Sequence, residues 1–191
     1  MRRIAVFGRS GVLAGPDEMA TGQRVGRLLG ENGLTLVYDG SAVGVIGTVA
    51  EASAQAGGRL IGIARSDSSE PLREDLAEQR SAATLEQWRS EVALLADAWL
   101  ALPGAFESLE DAFAVWDWSD SGRPEQPLGL LDQGDYYSAL LRHASDSAVD
   151  RFVLESQRGR LITAKQPGEL LRRLADYRPP ETRRDASFDD D

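Results

Sequence analysis

Leu102-Pro103-Gly104-Ala105-Phe106-Glu107-Ser108-Leu109-Glu110-Asp111 decides how this chain is read. Just ahead of it, Ala98-Trp99-Leu100-Ala101-Leu102 is an apolar run short enough for a buried strand. Behind it, an amphipathic helical pattern continues through Phe113 to Trp118. A strand that ends in a Gly turn and opens a helix leaves backbone N–H groups facing whatever sits above the sheet. In open α/β sheets that crevice, at the carboxyl ends of the strands, is where ligands bind. The active or binding site is expected here, with the rest of the chain supplying its other walls.

Working outward, the same alternation repeats. Residues 4–7 read as a strand closed by Gly8-Arg9-Ser10-Gly11, and Pro16 opens a helix that stops at Asn32-Gly33. A second strand, residues 34–38, runs into the turn Asp39-Gly40-Ser41-Ala42-Val43-Gly44. A helix over 45–55 and a strand over 59–63 follow. Residues 64–80 are polar and read as a surface loop or short helix. A stronger helix covers 82–95, and the central strand and turn then lead into a helix over 108–119. Strands at 128–131 and 160–163 and helices at 136–144 and 167–177 complete the series. Strands alternate with helices and carry no hairpin signal between them. The expected fold is α/β, a Rossmann-like doubly wound parallel sheet in three layers, α/β/α. One domain is expected over residues 1–180, with an acidic, disordered tail over 181–191.

Composition narrows the chemistry. The 191 residues suit one domain with a sizeable core. A formal net charge of −10 argues against nucleic acid or an anionic membrane as partner, since either favours a basic face. The absence of cysteine excludes thiol catalysis and Cys-ligated metals, and the single histidine, His143, cannot form a His cluster. No metal and no cofactor are expected. No apolar signal region precedes the first strand and no run is long enough to span a bilayer, so a cytoplasmic protein is expected. Lys165, the only lysine, lies far from the central turn, which fits poorly with the Schiff base that pyridoxal phosphate requires.

At its two Gly turns the chain resembles the Lonely Guy family, the cytokinin-activating nucleoside 5′-monophosphate phosphoribohydrolases, often mislabelled lysine decarboxylases. The family's first signature, roughly YGGGSVGLMG, is matched by Tyr38-Asp39-Gly40-Ser41-Ala42-Val43-Gly44-Val45-Ile46-Gly47. Its second, PGGxGTxxE, is matched by Pro103-Gly104-Ala105-Phe106-Glu107-Ser108-Leu109-Glu110-Asp111. Leu95-Ala96-Asp97-Ala98, Pro127-Leu128-Gly129-Leu130-Leu131, Tyr136-Tyr137 and Tyr177-Arg178-Pro179-Pro180 extend the likeness over nearly the whole chain.

The resemblance implies an N-glycosidic hydrolase in which a carboxylate supports an oxocarbenium-like sugar and an arginine orients the substrate. The family's catalytic glutamate falls on Asp111. Counted back without gaps, its catalytic arginine falls on Trp88, with Arg89 one place later. One helical step turns a side chain by about 100°, so Arg89 replaces the cation only if the helix is rotated or bent. Trp88 either covers an aromatic ligand or plugs the pocket. The phosphate is expected on Gly8, Ser10, Gly40, Ser41, Gly44, Gly104, Ala105, Glu107 and Ser108, with Arg9 a candidate counter-charge. Asp39 and Glu107 replace glycines; pointing inward they repel phosphate, pointing away they leave the amide nest intact. Two functions follow: a divergent phosphoribohydrolase releasing an adenine- or cytokinin-type base, or a member that binds a nucleotide or anionic cofactor without hydrolysis. The partners expected are a small-molecule nucleotide and a second copy of the chain, docked through the helices at 82–95 and 108–119.

Overall fold

A computed structural model of the chain describes residues 1–8, 14–104, 106–117, 126–145 and 159–179. The strands are β1 (Arg3–Phe7), β2 (Thr35–Tyr38), β3 (Arg59–Arg65), β4 (Glu78–Ala82), β5 (Ala98–Ala101), β6 (Leu128–Leu131) and β7 (Leu161–Ala164). Among the described residues the helices are α1 (Pro16–Glu31), α2 (Gly44–Gln55), α3 (Leu85–Leu95), α4 (Phe106–Asp117), α5 (Ser138–Ser145) and α6 (Pro167–Asp176). The seven strands form one sheet in the order β4-β3-β2-β1-β5-β6-β7, every pair parallel.

Strand periodicity builds the two faces. Along β1, Ile4 and Val6 point to one side and Ala5 and Phe7 to the other, because successive strand side chains alternate. The first face packs on Val25 and Leu29 of α1, Val45 and Val49 of α2, and Leu170 and Leu174 of α6. The second packs on Trp88 and Val92 of α3, Ala112 of α4, and Tyr137. The expected three-layer, doubly wound fold is therefore the observed one. No helix among the described residues is long and apolar enough to cross a membrane.

Most bounds shift by one or two residues, and two larger differences stand out. The polar stretch after β3 contains a strand, β4, paired only with β3 at the sheet edge. Its sequence, EQRSA, alternates in exposure but not in hydrophobicity, so no apolar period announces it. Helix α3 begins at Leu85, where Thr84 accepts a hydrogen bond from the Gln87 amide at 3.1 Å, and not at residue 82. The acidic tail, Arg9, Ser10 and Ala105 lie outside the described residues.

The chain starts at β1 in the middle of the sheet and winds outward through β2, β3 and β4. It then returns to β5 on the other side of β1. The strand order thus reverses between β1 and β5, and the crevice above that junction is where open α/β sheets place ligands. Gly8 leaves β1 there, and the turn at Leu102–Gly104 leaves β5 beside it.

Candidate active site

A cleft of about 550 Å³ opens at this junction. Its floor is the end of β1 with Trp88 and Leu85 of α3; its walls come from Asp39, Ser41 and Ile46 on one side and Ser108, Glu110 and Asp111 on the other. Arg65, Asp67, Ser68, Ser69, Glu70 and Leu72 close it from above β3. The volume lies within the range of small-molecule sites.

Asp111 stands in the second turn of α4, with Arg89 of α3 beside it. The Arg89 Nε and Nη2 donate to Asp111 Oδ1 at 3.0 and 2.7 Å, and Nη2 also donates to Glu110 Oε1 at 2.9 Å. Arg89 and Asp111 keep only 15% and 19% of their side-chain surface exposed, whereas Glu110 keeps 67%. The inner pair is thus the one shielded from water. Burial pushes the Asp111 carboxyl above its ordinary value, although Arg89 pulls the other way.

Trp88 lines the cleft without plugging it. Its Nε1 donates to the Ile63 carbonyl at 2.9 Å, and its ring meets Phe7 edge-on with centroids 6.1 Å apart. Anchored there with Val92, it forms core and part of the floor. The following residue is then carried around α3 toward α4. Arg89 therefore reaches the carboxylate from an unbroken helix, and the rotation or bend expected from the sequence is not needed.

The turn after β2 is closed on itself. Asp39 Oδ1 accepts the Ser41 amide at 2.9 Å, the Pro71 carbonyl accepts the Ala42 amide at 2.8 Å, and Ser41 Oγ accepts the Val43 amide at 3.2 Å. Arg73 N donates back to the Gly40 carbonyl at 3.0 Å, so the segment after β3 is strapped across the turn. The amides expected to cradle phosphate at Ser41 are thereby engaged within the chain. Gly40 and Gly44 adopt the left-handed backbone the turn requires, with φ of 84° and 72°. They shape the turn and are absent from the cleft's described lining, as is Gly104. Of the expected phosphate contacts, Gly8, Ser41 and Ser108 line the cleft. The side chain of Glu107 lies outside the described residues.

Asp39 lines the cleft, half-buried, and among the described residues it forms no ion pair. Burial raises its carboxyl above the ordinary value. Arg65, at the end of β3, donates to Asp67 at 2.9 and 2.7 Å. The turn that opens α4 is braced from behind: Tyr137 Oη donates to the Leu102 carbonyl at 2.7 Å, and Tyr136 Oη donates to that of Gly104. Arg65, Asp67 and Glu70 escaped the sequence reading because they sit in a stretch with no apolar period; the only signal was the position of Arg65 just past a strand. Lys165 pairs with Asp135 at 2.6 Å on the surface and is not part of the cleft lining.

Sheet order and cleft together define an open α/β protein whose ligand crevice, at the switch point, is lined by a shielded carboxylate, Asp111, that Arg89 holds from outside the described lining. Residues 46–174 match the family model described as possible lysine decarboxylase. The chain is 32% identical over 181 residues to a probable cytokinin riboside 5′-monophosphate phosphoribohydrolase of Oryza sativa subsp. japonica, covering 94% of this chain and 74% of that one. It is 31% identical over 180 residues to a cytokinin riboside 5′-monophosphate phosphoribohydrolase of Arabidopsis thaliana, covering 93% and 83%. The chain belongs to this family, the Lonely Guy proteins. Among solved structures, the molybdenum cofactor carrier protein of Chlamydomonas reinhardtii superposes with a TM-score of 0.70 at 14% identity, covering 92% of this chain and 99% of that one. The molybdenum cofactor binding protein of Rippkaea orientalis superposes with a TM-score of 0.69 at 19% identity, covering 91% and 95%. At these identities the likeness is one of fold.

Proposed function

We propose that the chain is a divergent nucleoside 5′-monophosphate phosphoribohydrolase, which hydrolyses the N-glycosidic bond and releases an adenine- or cytokinin-type base. The observation that carries this is Asp111, which lines the cleft and is held by Arg89 at 2.7 Å from outside the described lining. The names of the curated relatives point to the same reaction. In this reading Asp111 supports the positive charge that develops on the ribose and accepts a proton from the attacking water. Arg89 fixes that carboxylate and, through it, orients the substrate. The phosphate rests at the amino end of α4, whose Ser108 lines the cleft. In this proposal the reaction takes place in the cytoplasm.

A second reading, binding without hydrolysis, draws on one feature. Arg89 commits its Nε and Nη2 to Asp111 and Glu110 and is not part of the described cleft lining, so its contact with a substrate runs through those carboxylates. Incubation with adenosine monophosphate, followed by chromatography for free adenine, separates the two. Release that Asp111→Asn abolishes supports the hydrolase; saturable binding with no adenine formed supports the carrier.

The homodimer is part of the same proposal. Leu94 on α3 is 74% exposed, an apolar side chain placed outward on a helix beside the site. Light scattering should give the mass of two chains; the mass of one overturns it.

A further inference from the structure

Breaking the bond between C1′ and a base nitrogen makes two demands. The sugar cation needs a nearby negative charge, and the departing base needs a proton. In the hydrolase reading Asp111 meets the first. A group to meet the second has to line the same cleft, have a carboxyl held above its ordinary value and stay free of a strong cation.

Asp39 fits that description. It stands just past β2, where the family signature has a glycine, and lines the cleft together with Asp111. Its Oδ1 is fixed by the Ser41 amide at 2.9 Å, so the carboxyl is held in one orientation against the turn. The two carboxyls have different neighbours. Asp111 takes two hydrogen bonds from Arg89, whereas Asp39 has no ion pair among the described residues. The charged groups that act on Asp39 are Glu70, from the segment strapped over the turn, and Arg65, whose guanidinium is committed to Asp67. Asp67, Glu110 and Asp111 share the cleft lining. Burial, with Glu70 in support, raises the Asp39 carboxyl above its ordinary value; the Ser41 amide and Arg65 pull the other way.

We propose that Asp39 is the acid that protonates the departing base, an assignment that rests on the hydrolase reading and completes it. As the C1′–N bond breaks, its electron pair passes to the base, which takes the Asp39 proton at a ring nitrogen. Water adds its oxygen to C1′ and gives a proton to the Asp111 carboxylate. The products are the free base and the sugar with a 1′-hydroxyl, and solvent returns the protons to their resting places.

The test compares two substrates. Adenosine monophosphate loses a base that must be protonated; nicotinamide mononucleotide loses a pyridinium that departs neutral without a proton. Asp39→Asn keeps an acceptor for the Ser41 amide, so the turn is retained. We expect it to slow adenine release by about 10²- to 10⁴-fold and nicotinamide release by no more than a few-fold. The decline of the parent's rate toward alkaline pH should also vanish. An equal effect on both substrates overturns the assignment, and so does no effect on either. Asp39→Glu, which restores a carboxyl, should recover part of the adenine activity. If the parent accepts adenosine monophosphate alone, the pH profile decides: an alkaline decline that persists in Asp39→Asn overturns the assignment. If the parent releases base from neither substrate, the hydrolase reading itself fails and the assignment with it.

Discussion

Asp111 is one methylene shorter than the glutamate its family carries, yet it still meets an arginine. Trp88 is the reason: with its indole hydrogen-bonded to Ile63, the next residue on α3 projects toward α4. Neither change is informative by itself, because a gap-free count placed the tryptophan where the cation belonged. The carboxylate was legible in the sequence; its partner was legible only as a choice between two neighbours, which depends on how deep the larger one sinks. Arg89→Ala should remove a charge-assisted contact of about 1.5–3 kcal/mol. Steady-state assays on adenosine monophosphate should then show kcat/KM lower by roughly 10- to 150-fold. Asp39 allows a separate stability prediction. A carboxyl raised by burial in the folded state contributes most below its unfolded value of about 3.9, and that contribution is lost as pH rises through the higher folded value. Asp39→Asn, which has no carboxyl to shift on folding, should therefore melt above the parent at pH 7. The gap in Tm should close as pH falls toward 4, and a gap independent of pH contradicts the argument.

Among the elements, the helices were easier to read than the sheet edge. Pro16 and the apolar stripe of Val25 and Leu29 fix α1, whereas the polar β4 offers no period and exists because β3 presents a free edge for pairing. One pattern on α1 is visible only with α2 in place. Gly22, Gly26 and Gly30 recur every four residues and bring the two helices into close contact; a Cβ at Gly26 would lie 2.1 Å from the Val49 carbonyl oxygen. That oxygen belongs to a helix backbone and cannot swing aside, so Gly26→Ala must push α1 and α2 apart. A cost of about 1–3 kcal/mol is expected, readable as a lower midpoint in urea with little change in slope. Gly168 in the first turn of α6 is the control: the nearest atom to an added Cβ is Leu28 Cδ1 at 4.0 Å. Gly168→Ala should be neutral or stabilising by up to about 1 kcal/mol.

At the scale of the whole molecule, charge and topology meet in the cleft. The winding from β1 outward brings the ends of β2 and β3 against the start of α4, and in doing so gathers Asp39, Asp67, Glu70, Glu110 and Asp111 around Arg65, in a chain whose formal net charge is −10. The composition showed the sign of that charge but not its concentration, since these residues are spread over more than seventy positions of sequence. A nucleotide approaching such a cleft meets repulsion that salt weakens: the screening length falls from about 30 Å at 0.01 M to about 8 Å at 0.15 M ionic strength. In the hydrolase reading, kcat/KM for adenosine monophosphate should rise several-fold over that interval. Adenosine, which has no phosphate to repel, should show little change under the same conditions. A nucleotide rate that instead falls with salt would mean that a net positive field draws the phosphate in, and the acidic cleft would then have no part in substrate capture.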